Sequence, residues 1–207
     1  MRTDEKVGVL GGSFDPVHKG HLAMAEAVRA AHGLDRVLLM PAFQPPHKRP
    51  ELAPYEHRLE MVRRAAQGLS GIEVSDLEGR RRGVSFTVET LEELRRLLPD
   101  AELFLVVGED SVPDLPGWRN IQRICELARI VAVNRPGFQH GFAALAAAGV
   151  PPSAIARCEA DRVTMPPDPI ASREIRRRLA AGELCDEQLP DGIGAYIRAH
   201  ELYGSRV

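Results

Sequence analysis

Residues 11–21 read Gly-Gly-Ser-Phe-Asp-Pro-Val-His-Lys-Gly-His, directly after the apolar run 7–10. His18 and His21 are three apart, so a helix starting near them puts both imidazoles on one face. Imidazole N–H groups donate to phosphate oxygens, and a pair so placed can reach one phosphoryl group together. A helix N-terminus adds unpaired N–H groups and the positive end of its dipole. Gly11 and Gly12 are expected to form a tight turn that lets backbone approach a ligand without a Cβ in the way. The chemistry this pattern suits is phosphate binding. The plainer alternative is an ordinary strand-to-helix turn with exposed imidazoles, and as a polar residue at such a junction His18 is expected to carry little core packing.

The elements that must hold these residues alternate. Strand-like apolar runs fall at 7–10, 37–40, 103–107 and 130–133, with a weaker one at 72–74. Helical periodicities fall between them at 22–31, 55–66, 88–98 and 121–127, and a last helix is expected over 193–202. Continuous apolar strands alternating with amphipathic helices predict an α/β fold with a doubly wound, mostly parallel sheet and a small C-terminal helical part. Ligands of such sheets bind outside the carboxyl ends of the strands, where strand order reverses. Three loops are rich in turn residues: 41–54, 133–141 and 166–170. The last leads into a helix with Ser172 as its expected N-cap and Glu174 in its first turn.

The 207 residues are expected to form one domain over 1–207. A hydrophobic fraction of 44% and a charged fraction of 27% are ordinary for a globular chain. The formal net charge of −2 argues against a charge-driven nucleic-acid binder. Cys125, Cys158 and Cys185 are odd in number and widely spaced, which suggests neither a disulfide framework nor a zinc site. No apolar run approaches membrane-spanning length, and the polar start followed at once by a strand leaves no room for a signal peptide. A cytoplasmic protein with no nucleic-acid or membrane partner is expected. Whether copies associate into a homo-oligomer stays open.

The eleven-residue string matches the H-x-G-H signature of the nucleotidyltransferase superfamily. Further segments resemble the bacterial nicotinate-nucleotide adenylyltransferase family, in the expected order. They are Pro45-Pro46-His47-Lys48, Ser85-Phe86-Thr87-Val88-Glu89-Thr90-Leu91, Gly108-Glu109-Asp110-Ser111 with Trp118 beyond, Arg135-Pro136-Gly137, and Ile170-Ala171-Ser172-Arg173-Glu174-Ile175-Arg176. The ending, with Tyr196-Ile197 and then Leu202-Tyr203, is also similar to the family's.

This resemblance implies transfer of AMP from ATP to nicotinate mononucleotide, giving nicotinate adenine dinucleotide and pyrophosphate. It implies His18 on the transferring phosphate, His21 on the charge developing beside it, and Lys48 and Arg176 as cationic clamps. Gly11, Gly12, Ser13, Phe14, Gly108, Arg135 and Ser172 would contact substrate, Asp110 would hydrogen-bond the ATP ribose, Trp118 would stack on the pyridine ring, and Thr87 would offer its hydroxyl or backbone N–H to the nicotinate carboxylate. Mg2+ is expected with the triphosphate, held largely by phosphates and water, without a named protein ligand. Plainer roles stand beside these: a solvated Lys48, Arg176 within an arginine-rich helix face, Asp110 or Thr87 as helix caps, and Trp118 as core. Ala171 and Arg173 depart from the family's flanking serine and threonine, and Phe86 from its usual tyrosine. Competing readings are an adenylyltransferase for nicotinamide mononucleotide or phosphopantetheine, a cytidylyltransferase, and a catalytically idle nucleotide-binding module.

Overall fold

The computed structural model of the chain describes residues 5–46, 52–134, 140–166 and 170–205. Five strands, β1 (Lys6–Gly12), β2 (Arg36–Pro41), β3 (Ile72–Val74), β4 (Glu102–Gly108) and β5 (Arg129–Val133), form one sheet in the order β3-β2-β1-β4-β5. All pairings are parallel, as the continuous apolar runs predict. Strand order reverses between β1 and β4. Their carboxyl ends, Gly11–Gly12 on β1 and Gly108 on β4, therefore flank the crevice, with Val107 buried behind Gly108.

Within β4 the side chains alternate between two cores. Phe104 and Val106 join the cluster under α1 (Lys19–His32), α2 (Tyr55–Ala66), α7 (Ser172–Ala180) and α8 (Ile193–Ala199). Leu103, Leu105 and Val107 join the cluster under α3 (Leu77–Arg81), α4 (Thr87–Leu97), α5 (Ile121–Leu127) and α6 (Pro152–Ala160). Both faces are therefore buried, which is why the strand reads as an unbroken apolar run.

Several boundaries differ from the sequence expectation. The helix expected over 193–202 ends at Ala199 and gives way to a 3-10 turn, Leu202–Gly204. Helices α3 and α6 and the 3-10 segments Glu109–Gly117 and Phe142–Ala148 carry no long periodic stretch, so the pattern does not reveal them. Ser172 is the first residue of α7 rather than its cap, a position taken by Ala171. Among the described residues, no helix is long and apolar enough to cross a membrane.

Gly8 sits at the centre of the sheet, where an added Cβ would lie 2.9 Å from both Leu34 Cδ1 and Val37 Cγ2. Gly8→Ala is expected to destabilise the fold by about 1–3 kcal/mol through overpacking. Urea unfolding checks this, and an unchanged midpoint would mean that Leu34 and Val37 move aside freely.

Candidate active site

The turn that follows β1 is not built by its glycines. β1 runs through Gly12, and the left-handed residue is Phe14, with φ 46°, followed by a cis Asp15–Pro16 peptide. Nothing lies within 4 Å of where a Gly11 Cβ would be, so this glycine opens space at the crevice rather than bending the chain. Phe14 is buried, and its ring meets that of His21 with centroids 4.9 Å apart.

His18 is the N-cap of α1, in extended conformation, and His21 occupies the third helical position. The two rings stack, with centroids 3.7 Å apart and planes inclined by 27°. The His18 backbone N–H donates to His21 Nδ1 at 3.2 Å. That bond assigns Nδ1 as acceptor in the neutral ring, so Nε2 carries the proton and is the donor. Contrary to the expectation of little packing, His18 is only 1% exposed. Its ring is seated between the turn and the helix because it closes the first turn of α1.

Asp15 ties this turn to three distant parts of the chain. Its Oδ1 accepts from the Tyr203 hydroxyl at 2.8 Å and from the Ala53 N–H at 3.1 Å. Its backbone carbonyl accepts from Arg176 Nη1 at 2.6 Å, and that guanidinium lies 3.5 Å from Oδ2. The Ser172 hydroxyl donates to the neighbouring Pro16 carbonyl at 3.0 Å. Arg58, from α2, is buried and donates to the carbonyls of Ser13 (2.7 Å), Ala53 (2.9 Å) and Phe43 (3.2 Å). Burial pulls the Arg58 pKa down while the Asp15 carboxylate opposes that shift. Burial, with the Asp15 carboxylate adding to it, holds the Tyr203 phenol well above its usual range and keeps it a donor.

A cavity of about 470 Å³ opens beside this turn, between the carboxyl ends of β1 and β4. Six of the sequence-predicted residues line it: Gly11, Gly12, Ser13, Thr87, Gly108 and Trp118. Trp118 is half-buried, packing on the core with one part and facing the cavity with another, so its two readings coexist. Thr87 is the first residue of α4 and not its cap; Phe86 holds that position, and no side chain caps the helix. His18, His21, Phe14, Ser172 and Arg176 gather instead around the Asp15–Pro16 turn. Asp110 is exposed at the start of the 3-10 segment, and its carboxylate folds over Gly108, where a Cβ would collide with it. Lys48 and Arg135 lie outside the described residues. Among the described residues, no group of three or more His, Cys, Asp or Glu could hold a metal ion.

Sequence reasoning places Asp15, the buried Glu109 and Tyr203 in motifs without a role for any of them, and passes over Arg58. Glu109 pairs with Arg162 Nη1 at 2.6 Å and accepts from the His140 N–H at 2.9 Å, which fastens the chain beyond β5 to the end of β4. A signal exists for Arg58. It stands three, four and seven residues before Met61, Val62 and Ala65, on the buried stripe of α2, where an arginine needs partners. Arg58→Met is expected to cost about 3–5 kcal/mol by leaving carbonyls and the Asp15 carboxylate uncompensated. Chemical denaturation measures this, and a loss below about 1 kcal/mol would show that water replaces the guanidinium.

The comparisons with known proteins bear on this site. A cytidylyltransferase-like family model matches residues 9–178. A probable nicotinate-nucleotide adenylyltransferase of Roseiflexus sp. is 45% identical over 95% of this chain and 97% of its own. One of Thermomicrobium roseum is 42% identical over 96% and 91%. Among solved structures, the Plasmodium falciparum nicotinic acid mononucleotide adenylyltransferase complexed with NaAD superposes with a TM-score of 0.77 over 98% of both chains. At 18% identity that likeness speaks for the fold.

Proposed function

We propose that this chain, which belongs to the nicotinate-nucleotide adenylyltransferase family, transfers AMP from ATP to nicotinate mononucleotide, yielding nicotinate adenine dinucleotide and pyrophosphate. The observation that most supports the reading is the His18–His21 stack at the N-terminus of α1, beside a cavity at the point where strand order reverses.

A phosphate oxygen of the mononucleotide attacks the α-phosphorus of ATP in line. The bond from that phosphorus to the bridging oxygen breaks, and pyrophosphate leaves with the electron pair. The nucleophile is already an anion, so alignment and charge neutralisation carry the catalysis. His18 serves the transferring phosphate, and His21, with its Nε2–H as donor, serves the charge developing beside it. Arg176 and Lys48 clamp the β- and γ-phosphates, and Ser172 and Arg135 support them. Gly11, Gly12, Ser13 and Phe14 form the floor under the phosphates, Asp110 holds the ribose of ATP beside Gly108, Trp118 stacks on the pyridine ring, and Thr87 offers its hydroxyl or N–H to the nicotinate carboxylate. Mg2+ bound to the triphosphate would supply further charge neutralisation, held largely by phosphates and water. A cytoplasmic setting belongs to the same reading.

Pyrophosphate release, measured with ATP and either nicotinate or nicotinamide mononucleotide, tests the reading. The acid is expected to be the better acceptor, and His21→Ala is expected to lower turnover by about 10²–10³-fold while leaving the circular dichroism spectrum intact. Preference for the amide would overturn the acceptor, and near-normal turnover of the variant would overturn the transfer site.

A further inference from the structure

Among the described residues, two charged side chains line the cavity, and they differ in sign and depth. Glu78 is buried. Its Oε1 accepts from the Thr90 hydroxyl at 2.6 Å, while its Oε2 is buried with no hydrogen-bond partner among the described residues. Thr90 lies one turn into α4 beyond Phe86, so this carboxylate marks the inner wall. Arg119 is exposed and reaches across the first turn of α4. Its guanidinium lies 4.5 Å from the Phe86 ring centroid and 2.8 Å from Glu89 Oε1. The mouth thus carries a guanidinium held by Glu89, and the inner wall a carboxylate whose partner Thr90 also accepts from Arg81 Nη2 at 2.9 Å.

We propose that Arg119 is a specificity-determining residue, reading the acidic substituent of the pyridine ring and thereby favouring a nicotinate over a nicotinamide mononucleotide. This rests on the adenylyltransferase reading above. A ring bearing a carboxylate is repelled at its acidic end by Glu78 and turned outward, where the guanidinium receives it. An amide has no charge for Glu78 to repel and gains less from Arg119, since an ionised acceptor makes the stronger hydrogen bond to a guanidinium. Stacking on Phe86 and pairing with Glu89 hold the guanidinium at the mouth before substrate arrives, which reduces the ordering cost of binding. Glu89 also competes for the same cation. The contribution of Arg119 is consequently moderate and falls with added salt.

The test is the ratio of kcat/KM for nicotinate mononucleotide to that for nicotinamide mononucleotide, in the wild type and three variants. Arg119→Gln is expected to lower the ratio about tenfold, chiefly through KM for the acid. Arg119→Lys keeps the charge and is expected to restore most of the preference. Glu89→Gln releases the guanidinium and is expected to raise the ratio about threefold. If the wild type prefers the acid and Arg119→Gln keeps that ratio, the inference fails and the adenylyltransferase reading stands. If the wild type shows no preference for the acid, that reading of the acceptor fails first.

Discussion

The site depends on one buried carboxylate. Asp15 stands in the turn between β1 and α1 and receives hydrogen bonds from Tyr203, near the end of the chain, and from Ala53, before α2. Two guanidinium groups, from Arg58 and Arg176, offset its charge. A buried carboxylate is tolerated only when paired and hydrogen-bonded, so these partners are conditions for the turn to exist. Through Asp15 and the Pro16 carbonyl, α7 is fastened to a segment more than 150 residues earlier, with Ser172 and Arg176 bound to the turn that leads into His18 and His21. His18, His21, Ser172 and Arg176 are thus gathered around one turn.

The sheet separates the two halves of the proposed task. At the carboxyl end of β1 the chain turns tightly and presents imidazoles at a helix N-terminus. At the end of β4 it passes into the 3-10 segment carrying Asp110 and leading to Trp118, anchored by the buried Glu109 and its half-buried partner Arg162. The cavity lies between these two ends, where parallel strands with reversed order leave a crevice. The regions proposed for ring recognition and for phosphate transfer are therefore adjacent yet held by different interactions.

Much of this is legible in the sequence. Four strands are apolar runs and β3, with Glu73 at its middle, is the weaker one; β3, α2 and α5 match their expected limits. Periodicity reports burial, and burial on both sheet faces is what the parallel order requires. The turn is misread from sequence because Gly-Gly suggests backbone freedom, whereas the left-handed residue is Phe14, held by its packing on His21. The short α3 and the 3-10 segments escape notice because they are too brief for a periodic signal. The partners of Asp15 escape it for another reason: Tyr203 is 188 positions away, and no local pattern reports a contact that only the tertiary fold creates.

A double-mutant cycle on Asp15 and Arg176 tests most directly whether this turn positions the phosphate-handling groups. Asp15→Asn, Arg176→Met and the double variant would each be assayed for kcat/KM with ATP, with unfolding free energies measured alongside. If Asp15 acts by orienting Arg176, the losses are non-additive and the double variant is no worse than the more damaged single variant, beyond any common loss of stability. Losses that simply multiply would contradict the account, because the two groups would then contribute independently.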